Sequence, residues 1–139
     1  MIGSRTWKNV AGLVLAVLLG GGFWVSVSER PSAADESGKV LRHVVMFQFK
    51  ESSSADEVQK VVEEFRALPK KIPQIADFEY GTDNSPEGLA AGFTHCFLVT
   101  FRSEKDREAY LPHAAHLAFV EVLKPHLEKV MVIDYWASK

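Results

Sequence analysis

The chain has 139 residues, 47% of them hydrophobic and 24% charged, and its 16 basic and 18 acidic side chains give a formal net charge of −2. A length of this order fits one folded domain, the composition excludes a disordered or collagen-like chain, and the charge balance predicts no nucleic-acid partner. The single cysteine, Cys96, excludes an intrachain disulfide framework and cysteine-rich zinc sites.

The amino-terminal segment has the pattern of an export signal. Arg5 and Lys8 precede the uncharged run 9–28, whose centre is almost wholly apolar, and a positive flank followed by an apolar stretch is typical of a signal peptide. A buried core helix is the alternative, which the absence of a polar face disfavours. The segment therefore predicts an exported protein, periplasmic or extracellular.

The end of this segment leaves two interpretations open. Small residues before Ala34 favour cleavage after that residue. A run of roughly 20 apolar residues is also long enough to remain as a membrane anchor. Both interpretations place the same domain outside the cytoplasm, because the positive flank stays inside. Residues 1–34 are thus predicted to be a signal peptide or anchor, 35–38 a linker and 39–139 the folded domain.

The sequence of residues 39–139 predicts four strands and two helical regions. The strands are rich in β-branched and aromatic residues, or alternate apolar with polar ones. The first helix begins at Ser54, which forms a capping box with Glu57, and the second helical region bends at Pro112. The predicted order is β-α-β-β-α-β, the ferredoxin-like pattern of an α+β fold. The predicted elements are strand 40–50, helix 54–69, strand 76–82, strand 93–102, helix 104–111 continuing as 113–123, and strand 129–136.

Both faces of the predicted sheet are apolar. Helices in a ferredoxin-like fold cover one face, and leaving the second in water would forfeit about 1.5–3 kcal/mol for each large side chain. No other segment of the chain is left to cover it, so we expect a second copy to pack sheet against sheet as a homodimer. One face carries Val45, Phe47, Phe97, Val99, Val130 and Val132; the other carries Val44, Met46, Leu98, Met131 and Ile133.

Several polar rings are predicted to share one apolar hollow. The histidines of the first and third strands lie on the same face of the predicted sheet as the apolar residues of the core. Three further rings recur every three residues across the Pro112 bend. An apolar cavity with a few placed polar groups is the usual form of a small-molecule site. The polar rings are His43, His95, Tyr110, His113 and His116, and the expected apolar lining is Val45, Phe47, Phe65, Phe97 and Phe119.

Such rings can serve more than one purpose. An imidazole in an apolar pocket is held neutral and accepts a proton, while a tyrosine hydroxyl polarises a carbonyl. The same rings could instead be structural hydrogen-bonding groups that fix the helix to the sheet. The spacing predicts no metal site, because no carboxylate stands at a matching helical position, and no cofactor is expected.

Four motifs give the domain a family resemblance. LRHVVMFQFK, GFTHCFLVTF, YLPHAAHLAFV and VIDYW, spread over 41–136, resemble in order and spacing the stress-responsive A/B barrel (Dabb) family. The resemblance implies a ferredoxin-like protomer that dimerises through its sheets into an α/β-barrel. Members include plant stress-induced proteins without a settled reaction and a polyketide cyclase.

The resemblance also implies roles for three residues. In the cyclising members a histidine is the base and a tyrosine assists an aldol-type ring closure; these fall on His116 and Tyr110, with His43 as the supporting strand histidine. Ala114 replaces the usual proline of the motif. The expectation is an exported protein that binds a small hydrophobic or aromatic ligand, and the alternative is a cyclase-like lyase. A third possibility, electron or oxygen chemistry, would require a cofactor that absorbs light.

Overall fold

The computed structural model describes residues 38–138. The predicted export segment 1–34 and most of the predicted linker lie outside the described residues, so both stay predictions. None of the helices within 38–138 combines the length and the apolar character needed to cross a membrane.

The described residues form four strands and four helices in the predicted order. Both predicted helical regions are divided in two, at Ala67 and at the Pro112 bend. The elements are β1 (Lys39–Phe49), α1 (Ala55–Arg66), α2 (Leu68–Lys71), β2 (Asp77–Thr82), β3 (His95–Phe101), α3 (Glu104–Tyr110), α4 (Ala114–Leu123) and β4 (Leu127–Ser138).

Local chemistry fixes the start of α1, and tertiary pairing fixes the length of β4. The Ser54 hydroxyl accepts from the Glu57 N–H at 3.3 Å and the Glu57 carboxylate accepts from the Ser54 N–H at 2.8 Å, which confirms the capping box. Strand β4 is longer than predicted because its pairing with β1 continues from Phe49 opposite Leu127 to Lys39 opposite Ser138. Its length is therefore set by its partner strand.

The four strands form one antiparallel sheet in the order β2-β3-β1-β4. This is the arrangement expected of a ferredoxin-like α+β fold, which is confirmed. Strand β1 lies between β3 and β4, so His43 has Val99 beside it on one side and Asp134 on the other. The register thus places an acid of the last strand next to a histidine of the first.

The two faces of the sheet differ in cover. On the helix-covered face Phe47, Phe97 and Val99 are fully buried, and the Phe65 ring of α1 stacks on Phe97 with centroids 4.5 Å apart. The opposite face, here called the open face, is covered by none of the helices of residues 38–138. Its large residues Met131, Ile133 and Tyr135 are 39%, 48% and 47% exposed.

Candidate ligand cavity

An apolar cavity of about 390 Å³ lies on the helix-covered side, between α4 and the edge strand β4. Its volume falls within the range of small-molecule sites. Val130 and Val132 of β4 line it and are each 50% exposed, so the cavity opens to solvent along this strand. The complete lining is His43, Val45, Phe47, Phe65, Tyr110, Leu111, His116, Phe119, Val120, Leu123, Leu127, Val130, Val132 and Asp134.

His116 enters the cavity from the first turn of α4. Its Nδ1 lies 2.8 Å from the Leu111 carbonyl oxygen, and because a carbonyl only accepts, Nδ1 carries the proton and Nε2 keeps its lone pair. Burial lowers the pKa of His116, and the nearby His43 and His113 lower it further, against the Leu111 hydrogen bond that raises it. The ring is therefore a neutral base at neutral pH.

Tyr110 lies beside this base at the end of α3. Its side chain is fully buried, and its ring centroid is 4.3 Å from that of His116. Burial raises the pKa of Tyr110, because a phenolate would be poorly solvated there. The hydroxyl therefore stays protonated and can donate to an oxygen of a ligand.

A third ring, His43 of β1, completes the polar end of the cavity. His43 is 6% exposed and packs edge-on against Tyr110, with centroids 5.9 Å apart. Its Nδ1 lies 2.6 Å from Asp134 Oδ1, and Asp134 Oδ2 accepts from Arg107 Nη1 at 2.7 Å. The carboxylate fixes the orientation of the His43 ring and leaves its Nε2 for a ligand.

Asp134 and Arg107 were not predicted from the sequence as site residues. Asp134 was visible as the only acid within the VIDYW motif, between apolar residues of a strand, and a carboxylate in such a position needs a partner. Arg107 carried no comparable signal. Its pairing with Asp134 depends on how α3 lies against β4, which residue spacing does not define.

Most of the predicted site residues meet in the cavity, and three do not line it. His43, Tyr110 and His116 line it together with Val45, Phe47, Phe65 and Phe119. Phe97 is instead packed in the core, 5.2 Å from Phe47 between ring centroids. The three rings at the polar end therefore meet as predicted, whereas the roles suggested for them stay predictions.

His95 and His113 lie elsewhere for separate reasons. His95 shares the predicted face but sits on β3, across β1 from the cavity, where its ring packs edge-on against Phe49 with centroids 5.0 Å apart. His113 is the N-cap of α4, and its Nδ1 accepts from the Ala115 N–H at 3.1 Å. Strand parity predicts a face but not the position across it, and the Pro112 bend turns His113 into a cap.

A second hollow, of about 370 Å³, lies at the end of β3 and contains His95 and Cys96. Burial raises the pKa of the Cys96 thiol, which disfavours the nucleophilic thiolate. Within residues 38–138 no three His, Cys, Asp or Glu side chains are grouped as metal ligands would be. The cavity beside β4 is the candidate site because its polar rings meet apolar walls there.

The fold and the cavity define a class: a ferredoxin-like α+β domain with a histidine and tyrosine pair at the polar end of an apolar cavity. The profile of the family described as Stress responsive A/B Barrel Domain, Dabb, matches residues 41–137. The chain belongs to this family, so the family resemblance of its motifs is confirmed.

Two curated relatives show the range of the family. The stress-response A/B barrel domain-containing protein HS1 of Arabidopsis thaliana is 33% identical over 101 residues, which cover 73% of this chain and 93% of the relative. The olivetolic acid cyclase of Cannabis sativa is 27% identical over 99 residues, which cover 71% of this chain and 98% of the enzyme. A stress-response protein and a cyclase thus share the domain.

Two solved structures give the same picture. A hydroxynitrile lyase from Passiflora edulis superposes with a TM-score of 0.69 and 27% identity, covering 73% of this chain and 96% of the lyase. A protein from Thermobifida fusca, described as dimeric and ferredoxin-like, superposes with a TM-score of 0.61 and 26% identity, covering 72% and 92%. The fold therefore occurs in relatives that are dimers and in relatives that are enzymes.

Proposed function

We propose that this protein binds a small, mainly apolar ligand that carries a carbonyl or hydroxyl group. The observation that carries the proposal is the composition of the cavity, in which His43, Tyr110, His116 and Asp134 meet at one end of a lining that is otherwise apolar. Apolar walls supply affinity and a few polar groups orient the ligand. The lining residues Phe47 and Phe119 favour a ligand with a ring or a branched chain.

A cavity-filling substitution tests this proposal. Val132 lines the cavity and Leu117 of α4 does not, although the two are 50% and 51% exposed. Val132→Trp is expected to fill the cavity and weaken binding of benzylacetone, a phenyl ketone, by at least about tenfold in an NMR titration. Leu117→Trp is the matched control and should bind as the unmodified protein does. Equal affinity in both variants would contradict binding in this cavity.

Proton transfer is the second candidate function, and the tautomer of His116 favours it. A neutral imidazole with its Nε2 unprotonated takes a proton from a C–H or O–H of the ligand, while the Tyr110 hydroxyl stabilises the developing charge on oxygen. Ring closure by carbon–carbon bond formation needs such a step. Cleavage of a hydroxynitrile needs it too: as His116 takes the hydroxyl proton, the carbonyl forms, the bond from carbon to cyanide breaks, and cyanide leaves as hydrogen cyanide with the proton returned by the imidazole. The cyclase and the hydroxynitrile lyase among the relatives make a lyase reaction of this kind the activity to test.

Loss of the base should separate chemistry from folding. With mandelonitrile as the probe, the unmodified protein is expected to release benzaldehyde, which is followed by its absorbance, and His116→Gln to lose at least about 100-fold of that rate. The melting temperature of His116→Gln should stay within a few degrees, since the glutamine can still donate to Leu111. A variant that loses its fold would assign His116 a structural role.

A homodimer formed through the open face is part of the same proposal. The dimeric relatives support it, and so do the half-exposed apolar residues Met131 and Ile133 on that face. We further propose that the domain works outside the cytoplasm, as the predicted segment 1–34 suggests. Mass measurement of the protein from its own host reports both the dimer and any cleavage after Ala34.

A further inference from the structure

The charged groups at the polar end of the cavity affect which ligand charge the cavity can accept. Asp134 is the one residue in the lining that carries a permanent charge, and the lining contains no lysine or arginine. Its side chain is 27% exposed and belongs to the edge strand, close to where the cavity opens. A charged ligand head must therefore approach a carboxylate.

Both oxygens of that carboxylate are already engaged. Oδ1 lies 2.6 Å from His43 Nδ1, and Oδ2 accepts from Arg107 Nη1 at 2.7 Å. Arg107 does not line the cavity, and its side chain is 24% exposed. The arginine thus lies behind the carboxylate and is committed to it, in a partly buried position where charge interactions are stronger than in water.

We propose that Asp134 and Arg107 are specificity-determining residues that select neutral ligands and reject both anions and cations. An anionic head finds no free cation to offset its lost hydration, because Arg107 is already paired with Asp134. A cationic head finds a carboxylate whose charge Arg107 already balances. A neutral carbonyl can still accept from the Tyr110 hydroxyl, and a neutral hydroxyl can donate to the Nε2 lone pairs of the two histidines. The inference rests on the proposed function in one respect, namely that the ligand occupies this cavity.

Three probes share an apolar part and differ in the charge of their polar group, so they separate the effect of charge from the effect of shape. Benzylacetone is a neutral ketone, hydrocinnamate an anion and phenethylamine a cation at neutral pH, and each has a phenyl ring on a two-carbon chain. With the full-length protein at low ionic strength, benzylacetone is expected to bind about tenfold more tightly than either ion. Chemical shifts of the cavity residues measure all three affinities.

Two substitutions should shift this preference in opposite directions. Asp134→Asn leaves Arg107 without its carboxylate and should tighten hydrocinnamate by about tenfold, whereas Arg107→Gln leaves Asp134 uncompensated and should tighten phenethylamine to a similar extent. The affinity for each ion is compared with the affinity for benzylacetone in the same variant, because Asp134 also orients His43 and its loss affects every ligand of the cavity. Glu64→Gln is the matched control, because it removes the acid of the Lys71–Glu64 ion pair on another surface, and it should leave all three affinities unchanged.

The outcomes distinguish this inference from the proposed function. Opposite shifts in the two variants support the inference. Equal affinity of the unmodified protein for all three probes, or unchanged ion preference in the folded variants, overturns charge selection and leaves ligand binding intact. Failure of every probe to perturb the cavity overturns both. If one variant does not fold, as judged by its circular dichroism, the other still decides the sign of the shift.

Discussion

The helix-covered side of the sheet has two unlike halves. Over β3 and β1 the Phe65 ring lies 4.5 Å from those of Phe97 and Phe119 between centroids, and the half is solidly packed. Over the edge strand β4 the helices leave a cavity, and Val130 and Val132 remain half exposed. One layer thus divides into a half that stabilises the fold and a half that leaves room for a ligand.

The largest expected effect comes from comparing one truncation in each half. Phe97→Ala removes a fully buried ring from the packed half and should lower the free energy of unfolding by about 3–5 kcal/mol, a large part of the stability of a small domain. Val132→Ala, in the cavity half, should cost no more than about 1 kcal/mol. Urea unfolding measures both. Similar losses in the two variants would show that the halves do not differ.

The open face offers the next largest effect. Ile133 is 48% exposed there, and Leu117 on α4 is 51% exposed. Ile133→Lys buries an unpartnered lysine of each copy in the proposed sheet-to-sheet interface and should weaken the dimer by at least about tenfold, because charges buried without partners are costly. Leu117→Lys should not. Analytical ultracentrifugation reports the change, and a monomeric unmodified protein at micromolar concentration would contradict this account of the open face.

The smallest expected effect is the pH dependence of the free energy of unfolding. It compares a histidine in the cavity with a histidine outside it. Burial lowers the pKa of both His116, in the cavity, and His95, outside it, from the ordinary value of 6.5. As the pH falls, the unfolded chain therefore takes up protons at a higher pH than the folded chain does. The part of the free energy of unfolding that is present above pH 6.5 is lost as the pH falls below that value. His116→Gln and His95→Gln should each flatten this loss, and denaturant titrations across that range measure it.

A ligand separates these two contributions. 4-Phenyl-2-butanol, the alcohol that corresponds to benzylacetone, donates its hydroxyl proton to the unprotonated Nε2 of His116, so its stabilising effect should fall as the pH drops below 6.5 and the ring takes up a proton. His95→Gln should retain that dependence and His116→Gln should lose it. A ligand effect that depends on pH equally in both variants would place the titrating group outside the cavity.

The spacing of residues along the chain predicted most of the fold. It did not predict the position of each strand across the sheet. The Ser54 capping box and the alternation in β1 and β3 are readable in the sequence because they depend on neighbours a few residues apart. The same alternation put His95 on the correct face. It could not show that β3 lies across β1 from the cavity, since the order of strands is a long-range property.

The candidate site divides in the same way. Tyr110 and His116 were predictable together because they share one segment of the chain. The Asp134 and Arg107 pair was not, because one residue comes from β4 and the other from α3, and they meet only when the helix packs on the sheet. The hydrogen bond from His116 to the Leu111 carbonyl depends on the backbone at the Pro112 bend. The order of residue types along the chain does not define that backbone conformation.

Nitrogen NMR of the His116 ring shows whether this residue is a neutral base that faces the ligand, because the ring shifts report which nitrogen carries the proton. At neutral pH we expect a neutral ring with the proton on Nδ1, and an Nε2 signal that moves when 4-phenyl-2-butanol is added while His95 stays unchanged. A ring protonated on Nε2 or on both nitrogens, or an Nε2 signal indifferent to the ligand, would contradict this expectation.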